Sequence, residues 1–200
     1  MAVVLSASRI KDYKNQNMRK VIAAINMTLD GVFDHTAGIP DTEIHHHYTE
    51  LLNQSGVILY GSTTYQLMEF WKTFLEKPSA EKAMNEFAAA IDKIPKIVFS
   101  NSLKNLDWNT ATLANIDLKE TVLALKKNTG KDILIGSRSL IMQLTELNLI
   151  DEYQICVYPV IQGNGSTLFE NLNQSVILKL IKTKIFTGGS IILYYQPAVE

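Results

Sequence analysis

The feature that most constrains the fold is an apolar run that stops at a glycine and resumes with helical spacing. Ile133–Ile135 precedes Gly136, and the apolar residues of the next segment, Ser139–Leu147, fall on one face of a helix. A strand that leads directly into a helix leaves backbone N–H groups unpaired in the first helical turn, and such a turn favours bound phosphate. The unit therefore predicts an α/β fold with a candidate anion site, although an ordinary strand-to-helix turn has the same pattern.

Apolar runs and amphipathic segments alternate along most of the chain. The predicted strands are residues 20–25, 56–60, 96–99 and 133–135. The predicted helices begin near Pro40, Gly61, Ser79, Asp117 and Ser139. This alternation favours a largely parallel sheet covered on both faces. The C-terminal part differs, because residues 152–160, 176–186 and 190–195 are strand-like without an amphipathic helix between them, and Gly188-Gly189 is typical of a hairpin.

Composition restricts the class of protein further. The chain has 200 residues, of which 46% are hydrophobic and 20% charged, as expected for one globular domain with a substantial core. A net charge of −1 argues against nucleic acid or an anionic membrane as a partner, and no apolar run approaches the ~20 residues that span a bilayer. Residues 1–17 read as a loose N-terminal extension before one domain, residues 18–200. We expect a cytoplasmic protein whose single cysteine, Cys156, packs in the core.

Six short segments occur in the order and spacing of a known family. They are Asn26–Gly31, Gly61–Tyr65, Ser100–Leu103, Gly136–Leu140, Leu149–Tyr153 and Pro159–Gly165. Together they resemble the dihydrofolate reductase-like family, in the branch similar to the C-terminal reductase domain of bacterial riboflavin-biosynthesis deaminase-reductases. The resemblance covers about residues 18–197. It implies a three-layer α/β/α fold with a mixed, mainly parallel central sheet that ends in an antiparallel C-terminal hairpin.

The resemblance also implies a nicotinamide cofactor along the carboxyl ends of the strands. NADPH is the expected cofactor, with NADH as the alternative, and the substrate would be a small heterocycle, pterin-like or pyrimidine-like, or a carbonyl compound. The family places the pyrophosphate between the turns at Gly61 and Gly136, and the adenosine half near Ser100. The residues so implied for cofactor binding are Ala24, Asn26, Gly31, Gly61, Ser62, Thr63, Thr64, Ser100, Asn101, Ser102, Gly136, Ser137, Arg138, Ser139 and Leu140.

Two positions depart from the family pattern. Relatives usually carry arginine where this chain has Ser62, and a guanidinium there would pair with the 2′-phosphate of NADPH. A preference for NADPH then depends on another cation, Arg138 or Lys104. The second departure is Ser137, which adds a side chain where the family resemblance implies a close approach of the backbone to phosphate. The alternative function is a non-catalytic nucleotide-binding or ligand-binding protein that retains the reductase fold.

The residues expected to act on the substrate are Asp30, Glu43 and His47. Asp30 would orient substrate or cap a turn with Gly31, and Glu43 is our candidate for the carboxylate that the family places at the start of the first helix. His45 and His47 flank the apolar face of that helix, so either could donate a proton to the substrate, and histidine has a pKa range suited to this role. The alternative is that both are ordinary histidines at the edge of the core or on the surface. Three consecutive histidines on a helix do not converge on one point, so we expect no metal site.

The C-terminal antiparallel strands predict a homodimer. The strand from Val176 and the pair Tyr194-Tyr195 place apolar side chains at the edge of the sheet. An uncovered apolar edge promotes aggregation unless another chain covers it, and relatives of this branch are often dimers.

Overall fold

The computed structural model describes residues 18–33, 36, 38 and 40–198, whose strands form an eight-stranded sheet. The strands are β1 Val21–Thr28, β2 Ser55–Gly61, β3 Lys96–Phe99, β4 Ala111–Leu113, β5 Asp132–Ile135, β6 Glu152–Tyr158, β7 Leu178–Ile185 and β8 Ile191–Pro197. Their order across the sheet is β4-β3-β2-β5-β1-β6-β8-β7. The predicted extension, residues 1–17, lies outside the described residues.

Strand pairing divides the sheet into a parallel and an antiparallel part. The pairings from β4 across to β6 are parallel, whereas β8 pairs antiparallel with both β6 and β7. The turn between β7 and β8 includes Gly189, whose φ of +86° lies in the left-handed region, and its N–H donates to Phe186 O at 3.0 Å. The predicted mainly parallel sheet with an antiparallel C-terminal hairpin is confirmed.

The helices follow the strands closely in sequence. They are α1 Thr42–Gln54, α2 Ser62–Met68, α3 Thr73–Glu76, α4 Lys82–Lys93, α5 Leu118–Lys127 and α6 Arg138–Glu146, and a 3₁₀ segment, Glu69–Lys72, joins α2 to α3. Two begin at aspartate caps, because Asp41 Oδ1 accepts from Ile44 N–H at 2.9 Å and Asp117 Oδ1 accepts from Glu120 N–H at 2.8 Å. Within the described part of the chain, no helix is long and apolar enough to span a membrane.

The helices cover the parallel part of the sheet on both faces, which gives the predicted three layers. One core lies between the sheet and helices α5 and α6, with Val122, Ile135 and Ile141 among its buried side chains. The other core lies on the side of α1 and α4 and contains Leu52 and Ile91. A third, smaller cluster joins α1 to the C-terminal strands and includes Cys156, whose thiol pKa is raised by burial to about 12.

Candidate functional site

Two strand-to-helix turns meet at the carboxyl ends of β2 and β5. Gly61 N–H donates to Ser137 Oγ at 2.9 Å, so the turn before α2 is fastened to the turn before α6. Ser137 is buried, and a Cβ added at Gly61 would lie 3.2 Å from Ser139 Oγ. The Ser137 side chain, expected to obstruct an approaching phosphate, instead faces the neighbouring turn. A side chain at position 61 would therefore need the Ser139 hydroxyl to shift by a few tenths of an ångström.

A polar cleft of about 940 Å³ opens beside these turns. It is lined by Gly61, Ser62, Thr63, Thr64, Phe99, Ser100, Asn101, Ser102, Ala114, Asn115, Ile116, Asp117, Leu118, Ser139, Leu140 and Gln143. Among these described lining residues, Asp117 is the only one with a charged side chain, and its carboxylate caps α5. A hydroxyl-rich cleft at the carboxyl ends of parallel strands is where open α/β sheets usually bind nucleotides.

A smaller, mainly apolar cleft of about 240 Å³ lies next to the polar cleft. It is lined by Ala24, Ile25, Asn26, Phe33, Gly38, Pro40, Tyr48, Leu52, Ile58, Tyr60, Thr64, Leu67, Met68, Phe87, Ile91, Leu134, Gly136 and Tyr158. Thr64 lines both clefts, so the two clefts adjoin at this residue.

Three polar side chains of the apolar cleft are hydrogen-bonded to each other. Tyr48 O–H donates to Asn26 Oδ1, and Asn26 Nδ2 donates to Tyr158 Oη at 3.5 Å. Burial raises the pKa of both tyrosines, so both hydroxyls are protonated at neutral pH. This Tyr48–Asn26–Tyr158 network supplies neutral hydrogen-bonding groups in apolar surroundings.

Most residues predicted to bind the cofactor line one of the two clefts. Those of the polar cleft are Gly61, Ser62, Thr63, Thr64, Ser100, Asn101, Ser102, Ser139 and Leu140. Those of the apolar cleft are Ala24, Asn26, Gly136 and again Thr64. Gly31, Ser137 and Arg138 line neither cleft. Gly31 lies in the turn after β1, with a φ of +82°, and donates its N–H to Thr28 O at 2.9 Å.

Arg138, suggested as a substitute for the missing arginine, is bound elsewhere. Its Nε donates to Thr167 O at 2.8 Å, and its guanidinium forms an ion pair with Glu170. Lys104, the other suggested cation, does not line the polar cleft. The described residues that line the polar cleft therefore include no cation that could replace an arginine at position 62.

Asp30 connects two loops and lies outside both clefts. Its carboxylate accepts from Thr28 Oγ1 at 2.5 Å, from Gly163 N–H at 2.8 Å and from Gln162 N–H at 3.2 Å. These bonds, with that from Thr28 the strongest, lower the Asp30 pKa to about 2. A carboxylate so engaged is ionised at neutral pH, and its observed role is to tie the turn after β1 to the loop after β6.

Glu43 and His47 also lie outside both clefts and contact the C-terminal hairpin. Glu43 Oε2 accepts from Thr187 N–H at 2.7 Å, which lowers the Glu43 pKa. His47 is buried against the rings of Phe186 and Tyr194. Burial, followed by the nearby Lys184 and Lys182 charges, lowers the His47 pKa to about 4. The structure thus does not bring the three predicted substrate residues together at either cleft.

The three consecutive histidines of α1 point in different directions. His45 packs edge-on against Trp71, with ring centroids 5.6 Å apart, and burial lowers its pKa. His46 is on the surface, where its Nε2 lies 3.4 Å from a Glu86 carboxylate oxygen. His47 lies under the C-terminal hairpin. In the described ranges, no three histidine, cysteine, aspartate or glutamate side chains form a group able to hold a metal ion.

Sequence reasoning missed several lining residues. Tyr48 and Tyr158 both line the apolar cleft, although the sequence pattern gives them no role beyond a helix and a strand. Asn115 and Asp117 line the polar cleft after β4, a strand that the sequence pattern did not predict. Tyr158 is the last residue of β6 and lies beside the end of β1, a position that follows from strand pairing and has no local sequence signal.

The two clefts fit a nicotinamide dinucleotide. The turn at Gly61 lies close to the first turn of α6, because a Cβ added at position 61 would be 3.2 Å from Ser139 Oγ. Ser62, Thr63 and Thr64 line this cleft together with Ser139 and Leu140, which lie in the first turn of the nine-residue helix α6. Hydroxyls and a helix N-terminus suit a pyrophosphate, while the adjoining apolar cleft suits an aromatic ring.

The sheet order, the C-terminal hairpin and the position of the clefts define a dihydrofolate reductase-like α/β protein. The chain belongs to the family of RibD C-terminal domains, which matches residues 19–194 and is reductase-like. Among curated proteins, it is 34% identical to the uncharacterized protein YyaP of Bacillus subtilis over 188 residues, which cover 91% of this chain and 97% of YyaP.

Two solved structures share the fold at low sequence identity. One is described as a riboflavin biosynthesis protein from Shewanella sp. PV-4, with a TM-score of 0.68, 18% identity and coverage of 90% of this chain and 99% of that one. The other is a pyrimidine reductase-like protein from Corynebacterium diphtheriae, with a TM-score of 0.62, 14% identity and coverage of 98% and 96%.

Proposed function

We propose that this protein is an oxidoreductase that uses a reduced nicotinamide dinucleotide to reduce a small heterocyclic or carbonyl compound. The observation that carries the proposal is the pair of adjoining clefts that share Thr64, one rich in hydroxyls and the other apolar. Membership of a reductase-like family and the likeness to a protein described as pyrimidine reductase-like support the same reaction class.

The residues of the chain would bind and orient the two reactants. When bound, the cofactor would supply the hydride, and water would supply the proton that completes the reduction. Ser62, Thr63 and Thr64 would hold the pyrophosphate, and Ser100 to Ser102 the adenosine half. The apolar cleft would exclude water around the ring, and Asn26 would hydrogen-bond to groups at its edge.

The choice between NADPH and NADH depends on the charges around the polar cleft. NADPH is the cofactor that the family resemblance implies, but a 2′-phosphate is bound most strongly by a guanidinium or an ammonium group. The described lining residues contain neither, and Asp117 adds a carboxylate. We therefore propose that the protein binds NADH at least as tightly as NADPH.

The proposal is tested by titrating the protein with NADPH and NADH, followed by nicotinamide fluorescence and thermal shift. Saturable binding of either cofactor, and its oxidation when a suitable acceptor is added, is the expected result. Failure of both cofactors to bind at near-millimolar concentration would overturn the reductase proposal.

A second candidate is a ligand-binding protein without catalysis. It is favoured by one observation, namely that Asp30, Glu43 and His47, the predicted substrate residues, contact other parts of the fold and line neither cleft. Cofactor binding together with no oxidation across pterins, pyrimidines and small carbonyl compounds would select this candidate.

A further inference from the structure

The order of the strands gives a direction to a dinucleotide in the two clefts. The turns at Gly61 and Gly136 follow β2 and β5, which are neighbours in the sheet. The apolar cleft extends from these turns towards β1 and β6, where Asn26 and Tyr158 line it. With the nicotinamide ring in that cleft and the pyrophosphate at the turns, the adenosine half would extend the other way, over the ends of β3 and β4. Strand β4 is two strands from β2, which is roughly 10 Å at the usual strand spacing and within reach of an adenosine.

The segment that follows β4 lines the polar cleft at this end. Ala114 N–H donates to Val98 O at 2.9 Å, so the chain beyond β4 stays beside the end of β3. Residues 115–117 then line the same cleft as residues 100–102, which follow β3. An adenosine that extends over these two strand ends would therefore contact both segments.

Asp117 holds a carboxylate in this part of the cleft. Its Oδ1 accepts from Glu120 N–H at 2.8 Å as the N-cap of α5, which fixes the position of the side chain. Within the described ranges, the second oxygen, Oδ2, forms no hydrogen bond or ion pair. The residue is exposed, so a ligand can reach this oxygen. The cap thus orders the carboxylate and leaves one of its oxygens available to a ligand.

A carboxylate at the adenosine end of the cleft would distinguish between the two nicotinamide cofactors. They differ at the 2′ position of the adenosine ribose, which carries a hydroxyl in NADH and a phosphate in NADPH. A carboxylate accepts a hydrogen bond from a hydroxyl, and acidic residues bind the ribose of NAD in this way in other dinucleotide-binding folds. It repels a phosphate, because both groups are negatively charged.

We propose that Asp117 is a specificity-determining residue that makes NADH the preferred cofactor. Its Oδ2 accepts a hydrogen bond from the ribose 2′-hydroxyl of NADH, and its charge repels the 2′-phosphate of NADPH. This inference rests on the proposed function, in which the polar cleft holds the adenosine half. It goes further by assigning the preference to a charge that the natural chain carries, in addition to the arginine that it lacks at position 62.

The substitution Asp117→Asn tests the inference, because it removes the charge and keeps the size of the side chain. Asparagine and serine cap helices as well as aspartate does, so both Asp117→Asn and Asp117→Ser should fold normally. Fluorescence titration gives the dissociation constants of NADH and NADPH. We expect the natural chain to bind NADH at least about fivefold more tightly than NADPH, and both substitutions to shift the ratio of the two affinities at least about fivefold towards NADPH.

Glu120→Gln is the matched control. Glu120 lies in the first turn of the same helix, is exposed and lines neither cleft, so this substitution removes an equal charge away from the ligand. It should change the ratio by less than about twofold. A shift as large as that of Asp117→Asn would show that the general field of the helix N-terminus, and not a contact with Asp117, sets the preference.

A pair of nucleotides tests the hydrogen bond separately from the repulsion. Adenosine diphosphate and 2′-deoxyadenosine diphosphate differ only in the 2′-hydroxyl, and calorimetry measures the affinity of each. The natural chain should bind adenosine diphosphate about three- to tenfold more tightly than the deoxy form, and Asp117→Ser should reduce this difference. Equal affinities of the two nucleotides for the natural chain would remove the hydrogen bond from the inference.

The titrations also separate this inference from the proposed function. Binding of NADH or NADPH with the same ratio in the natural chain and in both Asp117 variants, or a preference of the natural chain for NADPH, would overturn the role of Asp117 and leave the reductase proposal standing. Failure of both cofactors to bind to the natural chain and to the variants would overturn both.

Discussion

Ser62 is the residue at which cofactor preference can be changed most directly. It lines the polar cleft in the turn that we propose to hold the pyrophosphate, at the position where the family resemblance implies an arginine. We expect Ser62→Arg to raise the affinity for NADPH by about tenfold, because the guanidinium forms charge-assisted hydrogen bonds with the 2′-phosphate. The affinity for NADH should change little, and fluorescence titration measures both.

Ser62→Gln is the control for this substitution, since it adds a long polar side chain without charge. It should leave the ratio of the two affinities close to that of the natural chain. A gain for NADH as large as that for NADPH in Ser62→Arg would show that the 2′-phosphate does not lie near position 62.

Ser137 should contribute to stability through its bond to the neighbouring turn. Its Oγ accepts from Gly61 N–H at 2.9 Å, and the Ser137 side chain is buried. Ser137→Ala removes the acceptor from a backbone N–H, which we expect to lower the free energy of unfolding by about 1–3 kcal/mol. Urea unfolding measures the change. The exposed Ser139 provides the control, because Ser139→Ala should change stability by no more than about 0.5 kcal/mol.

At the scale of elements, His47 makes the contact between α1 and the C-terminal hairpin sensitive to acid. The pKa of His47 falls from its ordinary value of 6.5 to about 4 in the folded protein. Between pH 4 and pH 6.5, the unfolded chain therefore binds a proton at His47 more readily than the folded protein does. The contribution of neutral His47 is fully present above about pH 7 and is lost as the pH falls towards 4. We expect this loss to be about 2–3 kcal/mol by pH 4.

Urea unfolding at pH 7 and pH 4.5 checks this expectation through the variant His47→Leu. The variant should lose less stability on acidification than the natural chain does, because the leucine has no proton to bind. His46→Gln is the control, since the His46 side chain is 51% exposed. If His47→Leu and the natural chain lost equal stability, protonation of His47 would not be the cause of acid sensitivity.

The elements that sequence patterns predicted well are those with a continuous apolar face. The alternation of strands and helices, the helix starts predicted near Pro40 and Asp117, and the hairpin at Gly188-Gly189 all agree with the structure. The single helix predicted after Gly61 is interrupted by the 3₁₀ segment Glu69–Lys72. Strand β4 escaped prediction because it has three residues, is largely exposed and depends on pairing with β3.

The candidate site was harder to predict because its residues interrupt the patterns on which prediction depends. The strand predicted to end at residue 25 continues to Thr28, although Asn26 breaks the apolar run. Asn26 is tolerated there because its amide binds Tyr48 and Tyr158 in the cleft. Tyr158 is brought to Asn26 by strand pairing between residues distant in sequence, which no local pattern contains. The turns at Gly61 and Gly136, by contrast, could be recognised from local sequence alone.

At the scale of the whole molecule, no helix in the described part of the chain covers one face of the sheet at its C-terminal edge. Helices α5 and α6 cover β1, β2 and β5 on this face. The pairing register places Leu180 opposite Tyr195 and Ile185 opposite Ile191, on the same face as Val157. Leu180 is 48% exposed and Ile185 is 72% exposed. Among the described strands, β7 is terminal and pairs only with β8, so its other backbone edge is open and its exposed side chains are partly apolar.

We propose that a second copy of the chain covers this face and forms the homodimer that the sequence predicts. Light scattering during size-exclusion chromatography at micromolar concentration should then give twice the mass of the chain. The double substitution Leu180→Glu and Ile185→Glu should give the monomer mass, because two carboxylates on each partner would be buried without paired charges. Ile161→Glu should leave the dimer intact, because Ile161 is 74% exposed and lies outside β7 and β8. A monomer mass for the natural chain would contradict the proposal, and loss of the dimer in Ile161→Glu would place the interface on another surface.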